Sequence, residues 1–398
     1  MRAAVKYLLK WIPVSILISL MSGFASAIFL FLLDHASKFH QSFPALIWGL
    51  PVCGLVIGWI YTKFGKGSER GNNLLIEEIH DPKQRVPKRM MPLILVSTLA
   101  SHLFGASVGR EGTAVQMSGA LADQLTKPFK LHGEDRNILL MSSISAGFSS
   151  VFGTPWAGFI FGLEVIRFRK IQYPAILPCL ACSLLADFVT RALGIHHSHF
   201  PPLSFPSFTL GVILKITAAG LLFGLAGRFF SLLTHSVSGL FKRLLSRDYL
   251  RPALGGLICA LLIGLLGMGR YSGLGLSVIQ EAFNTNLPPA DFIFKLFFTA
   301  LCVGAGLKGG EVTPIFFIGA TMGSWLNTFF QFPTGFLTAL GFVAVFAGAA
   351  NTPLACIAMA MELFGVKVGG FALIVCWASF FLSGSSGIYC LKTPTHKR

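Results

Sequence analysis

Two apolar runs, WIPVSILISLMSGFASAIFLFLL beginning at Trp11 and VGGFALIVCWASFFLSG beginning at Val368, restrict the fold more than any other feature of the chain. About twenty apolar residues cross a bilayer as a helix, and within lipid every backbone polar group must be satisfied inside the protein. Similar runs recur along the 398 residues, which are 54% hydrophobic and 12% charged. A soluble domain carries about 25% charged residues. The expected fold is an all-α polytopic membrane protein embedded in a lipid bilayer. The first run exceeds a signal-peptide core and shows no cleavage site, so it is expected to remain in the mature protein.

The net charge of +16 suggests nucleic-acid binding until its distribution is considered. The basic residues flank apolar runs: Arg2, Lys6 and Lys10, then Lys63, Lys66, Arg70, Lys83, Arg85, Lys88 and Arg89, and finally Lys392, Lys397 and Arg398. This is the positive-inside pattern. It predicts both termini in the cytoplasm, a multi-pass location in a cell inner membrane or plasma membrane, and no nucleic-acid partner. The eight cysteines are scattered through apolar segments. Cys179 and Cys182 form a CxxC, but within AILPCLACSLLADF they read as small buried hydrophobes.

The chain repeats itself. Ala146, Phe148, Thr154, Pro155, Ala157 and Glu164 recur 198 residues later as Ala344, Phe346, Thr352, Pro353, Ala355 and Glu362. Gly109, Glu111, Thr113, Gly119 and Ala120 recur 200 residues later as Gly309, Glu311, Thr313, Gly319 and Ala320. GNNLLIEE at Gly71 and GLGLSVIQ at Gly273 form a third pair, 202 apart. Two homologous transmembrane halves follow, 1–195 and 207–398, with a linker at 196–206. The first half follows a basic segment and the second follows one free of Lys and Arg, so the halves are expected to begin on opposite faces, as an inverted repeat. The linker histidines lack cysteine or carboxylate neighbours in sequence. No metal and no cofactor are expected.

Each repeated motif is a Gly- or Pro-containing break followed by an apolar helical run. Broken backbone at membrane depth is tolerated where it lines a cavity, and helix N-termini meeting there present unpaired N–H groups to an anion. Glu111 opens one such helix, EGTAVQMSGALADQL. Its carboxylate can occupy the anion site as a tethered competitor and leave when protonated. Simple pairing with Arg110 is disfavoured on the argument that consecutive helical residues do not face each other. Glu164 and Glu362 are expected to act as structural or capping groups.

These residues resemble the CLC family of chloride channels and proton-coupled anion antiporters, over nearly the whole chain. GREGTAVQ is similar to the family's Gly-Arg-Glu-Gly-Pro signature, and GGEVTPIF to its Gly-x-Phe-x-Pro signature. SSGIYC resembles the segment that supplies a tyrosine, here Tyr389. The resemblance implies two inverted halves with broken helices meeting at a central anion site, a homodimer with one pore per subunit, and Glu111 as gate and proton carrier. Gly109, Arg110, Gly112, Val312, Thr313 and Tyr389 are then the expected anion-site residues. The cytoplasmic regulatory pair of many eukaryotic members is expected to be absent.

The departures select a branch. The serine motif Gly-Ser-Gly-Ile-Pro is replaced by GNNLLIEE, with Asn72 or Asn73 near the serine's place. Thr113 replaces the gate proline, Val312 replaces the phenylalanine, and Glu164 is followed by Val165 where chloride antiporters carry a second glutamate. This is similar to the branch that exports fluoride in exchange for protons. Fluoride is tightly hydrated, and Asn72, Asn73, Thr313 and Tyr389 supply donors that can replace its water. Asn73 and Thr313 are also readily read as bonding their own backbone at a helix break. Glu311 is a possible coupling residue, placed by the repeat opposite Glu111, with Lys308 as a candidate partner. A chloride channel or chloride/proton antiporter is the alternative. An intramembrane enzyme using Glu111 as an acid lacks a second catalytic group, so no catalytic residues are assigned.

Overall fold

A computed structural model describes residues 2–166, 172–384 and 387–389. Lys392, Lys397 and Arg398 of the basic count, and Ser385, Ser386 and Cys390 of the terminal motif, lie outside the described residues. The described residues contain sixteen α-helices and no strand. Eight precede the linker: α1 (Arg2–Ser42), α2 (Leu50–Ile60), α3 (Asn72–His80), α4 (Met90–Leu103), α5 (Glu111–Ala122), α6 (Glu134–Phe152), α7 (Pro155–Glu164) and α8 (Ile176–Ala192). Eight follow it: α9 (Leu210–Leu244), α10 (Leu250–Leu265), α11 (Leu276–Ala282), α12 (Pro289–Ala305), α13 (Val312–Phe330), α14 (Phe336–Ala350), α15 (Pro353–Phe364) and α16 (Gly369–Ser383).

The two sets match in order and in packing. α1 packs on α8 as α9 packs on α16, α6 on α8 as α14 on α16, and α5 on α6 as α13 on α14. Across the molecule α2 meets its own counterpart α10, and α7 meets α15. Such self-pairing is what a pseudo-twofold axis between inverted halves produces. Each half opens with a long apolar helix, 41 residues in α1 and 35 in α9. At 1.5 Å per residue both exceed a hydrocarbon core of about 30 Å, so both are long enough to span with tilt. Among the described residues, five helices are long and apolar enough to span; α3, α5, α7, α11 and α15 are too short to do so alone.

Lipid offers helices little hydrophobic reason to associate, so close packing and hydroxyl contacts do that work. Ser22 bonds Ser118 at 2.6 Å and Ser26 bonds Ser150 at 2.7 Å, joining α1 to α5 and α6. In the second half α13 crosses α14 backbone to backbone. A Cβ on Gly319 would lie 2.1 Å from the Gly341 carbonyl oxygen, so only glycine fits. Cys179 and Cys182 are buried free thiols among the described residues, packed against the serines of α1 and α6. That agrees with their reading as buried hydrophobes.

Candidate functional site

Thr-Pro pairs open α7 and α15. Proline at the first helical position has no N–H to satisfy, and the next two N–H groups need an acceptor. Each half supplies it to the other. Glu164 accepts from Leu354 and Ala355 N–H at 2.9 and 2.7 Å, and Glu362 accepts from Trp156 and Ala157 N–H at 2.9 and 2.8 Å. A carboxylate at a helix N-terminus also meets the favourable end of the dipole. The capping role expected for both glutamates is therefore present, with the cap made across the molecule.

The halves meet again at the second repeated motif. Gly109 N–H donates to the Gly310 carbonyl at 2.5 Å and Gly310 N–H donates back to Gly109 at 2.6 Å, an isolated antiparallel bridge. A Cβ on Gly109 would lie 2.8 Å from the Pro314 ring, so the close approach requires glycine. The bridge corrects the register of the repeat. Matching letters align Glu111 with Glu311, but the bridge pairs Gly109 with Gly310. Two residues later α5 begins at Glu111 and α13 at Val312. Structurally, Val312 is the counterpart of Glu111. Glu311 is the N-cap of α13, as Arg110 is the N-cap of α5. Glycine and glutamate recur within one residue of each other here, so identity alone selects the wrong offset.

Glu111 is fully buried. Its carboxylate crosses to the other half and accepts from the Thr313 amide at 3.1 Å and the Thr313 hydroxyl at 2.7 Å. Thr313 thus serves Glu111 and not its own backbone. Arg110 Nε lies 3.3 Å from Glu111 Oε1, the pairing that helix geometry disfavours. Arg110 stands outside the helix, at φ −120° and ψ −30°, which frees its side chain to fold back onto Glu111. Behind Glu111, Thr113 bonds Thr98 at 2.9 Å.

A vestibule of about 520 Å³ reaches this point from one side, lined by Asn72, Asn73, Gly310, Glu311 and Tyr389 among others. On the other side a pocket of about 20 Å³ is lined by Arg110, Thr313, Phe316 and Phe342. The Asn72 Oδ1 atom is buried without a partner, and the Asn72 amide nitrogen sits against Gly112 at the start of α5. Tyr389 meets Phe161 edge-on, with ring centroids 6.3 Å apart. Val312 is buried at the head of α13. Lys308, the candidate partner of Glu311, makes no ion pair with it; its ammonium lies over the Tyr61 ring, 4.2 Å from the centroid.

Two helix N-termini thus meet with a buried carboxylate between them and a polar vestibule beside them. A sequence profile described as "Voltage gated chloride channel" matches residues 53–384. The chain belongs to this family of membrane anion channels and transporters. A "Chloride/fluoride channel protein" of Pseudomonas syringae pv. tomato is 48% identical, over 98% of this chain and 88% of that protein. Among solved structures, a CLC-type fluoride/proton antiporter superposes with a TM-score of 0.91 at 35% identity, covering 94% of this chain and 95% of that one. A slow cyanobacterial Cl−/H+ antiporter superposes at 0.82 with 20% identity and shares the fold. The inverted-repeat architecture is thus that of the CLC antiporters, and the named relatives are channels and antiporters, not enzymes.

Within the CLC frame, the residues singled out in the sequence gather in one place. Gly109, Arg110, Glu111, Gly112, Val312 and Thr313 form the junction, and Asn72, Asn73, Glu311 and Tyr389 line its vestibule side. Sequence motifs did not reveal the second layer of that vestibule, which includes Tyr61, Gln116 and Arg251. These residues sit on helices far apart in the chain, with no shared spacing to betray them.

Proposed function

We propose that this protein exports fluoride in exchange for protons. The observation that carries the reading is the seat of Glu111. Its carboxylate occupies donors from the opposite half, the Thr313 amide and hydroxyl, where vestibule and pocket approach each other. Those donors suit any small anion. Protonation removes the negative charge that holds the side chain there and frees the seat for fluoride. Deprotonation returns it. Glu111 is then both gate and proton carrier, and the exchange is coupled because anion and carboxylate cannot share one seat.

Roles for the surrounding residues follow. Thr313, Asn72, Asn73 and Tyr389 replace the hydration of fluoride. Gly109, Gly112 and Val312 let the helix ends approach, and Arg110 balances the charge. Glu311, at the vestibule mouth of α13, is assigned to coupling. The named fluoride/proton antiporter at 35% identity supports fluoride over chloride, and the relative at 48% is named for both ions. Comparing fluoride with chloride efflux from reconstituted vesicles tests the assignment.

The reading extends to topology. The halves are taken as 1–195 and 207–398, joined by 196–206, in a homodimer with both termini on the cytoplasmic side of a cell inner membrane or plasma membrane. The vestibule shares its face with Arg70, Lys242 and Arg251, so it is assigned to the cytoplasm. His199 is exposed in the linker. A cysteine in its place is expected to react with an impermeant thiol reagent in intact cells. Reaction only after lysis would reverse the orientation.

A further inference from the structure

Lys308 is a cation that the fold does not require. In the register set by the Gly109–Gly310 bridge, its counterpart in the first half is Ser107, a neutral side chain that bonds Thr299 at 2.9 Å in the interior. The same backbone position is therefore built without charge on the other side of the pseudo-twofold axis. Lys308 instead lines the vestibule, three residues before Glu311.

Its surroundings leave the charge available. Of the other vestibule cations, Arg70 is paired with Glu77 and Arg251 with Asp248, while Lys242 is exposed. Among the described residues no carboxylate lies within 4 Å of the Lys308 ammonium, although Glu69 and Glu311 line the same cavity. The Tyr61 ring, 4.2 Å away, is its close contact. A ring face orients an ammonium without neutralising it. Tyr61 is placed to do so by the π-helical turn Tyr61–Gly65 that continues α2. A partly buried ammonium held on an aromatic face at the approach to an anion seat attracts anions from the vestibule water and concentrates them.

We propose that Lys308, oriented by Tyr61, is the anion-capturing residue of the vestibule, which draws fluoride toward the Glu111 seat and sets the apparent affinity on that face alone. The proposal rests on the fluoride-exchange reading. It makes Lys308 a positioning residue for the incoming ion and gives it no part in the proton step.

The test measures fluoride transport in oriented vesicles with fluoride supplied at either face. Lys308→Gln is expected to raise KM at the vestibule face about tenfold, the lower end of the effect of a focusing field on association. Maximal rate, proton stoichiometry and KM at the opposite face should stay at wild-type values. Lys308→Arg, which keeps the charge, should restore most of the affinity. An unchanged KM, or an equal rise at both faces, would overturn the proposal. Should Lys308→Gln fail to assemble, the wild type decides: added salt should raise KM more steeply at the vestibule face, because screening weakens attraction to a fixed charge. Equal salt dependence at the two faces would count against Lys308. A wild type carrying chloride but no fluoride would end the exchange reading, with the same comparison of faces then read with chloride.

Discussion

Replacing Glu111 by glutamine is expected to abolish proton movement while fluoride still passes. Glutamine imitates the protonated acid in shape and neutrality, but has no proton to release. Its carbonyl can still accept from the Thr313 N–H and its NH2 can donate to the Thr313 hydroxyl oxygen, but the negative charge that strengthens both contacts is gone, so the seat holds the side chain less tightly. The gate then stands open, and the flux becomes a passive leak insensitive to pH. Proton uptake recorded beside fluoride efflux in the same vesicles decides this. Continued uphill proton pumping by the Gln variant would remove Glu111 from the proton path.

The second large effect is expected at Glu311. In the bridge register this residue is the N-cap of α13 and its side chain faces the vestibule. With Lys308 turned to Tyr61, no ion pair among the described residues explains a carboxylate at this depth. A carboxylate kept without a cation near an anion path is costly unless protonation makes it useful. Glu311 is two residues from Thr313, so a proton held there can pass between the vestibule and the seat as the anion moves. Glu311→Gln is expected to assemble with a wild-type elution profile and to lose most fluoride turnover, on the order of a hundredfold, the lower end of the range for loss of a positioned proton-transfer group. A monodisperse variant with undiminished fluoride efflux would exclude Glu311 from the mechanism.

Much of this architecture is legible in the sequence for physical reasons. Apolar length dictates helices, and lipid forbids broken backbone except around a cavity, so the Gly- and Pro-rich motifs had to mark the interior. The repeated Glu164 and Glu362 could be read as structural or capping groups. What they could not show is that Glu164 caps α15 and Glu362 caps α7, because the cap crosses between halves. The other misses share that origin. The one-residue register of the second repeat is decided by backbone bonds between Gly109 and Gly310. The Arg110–Glu111 contact depends on where α5 starts. Lys308 was paired with Glu311 on sequence proximity, whereas Tyr61, 247 positions earlier, competes successfully for it.

In the proposed exchange one seat serves alternately a carboxylate and a fluoride ion. Its most direct test loads vesicles containing the wild-type protein with fluoride, imposes an outward fluoride gradient, and records external pH and internal fluoride together. The account predicts proton uptake that follows fluoride efflux in fixed proportion, persists against an opposing proton gradient, and is far weaker when chloride replaces fluoride. Fluoride efflux without proton uptake, or equal transport of chloride, would contradict it.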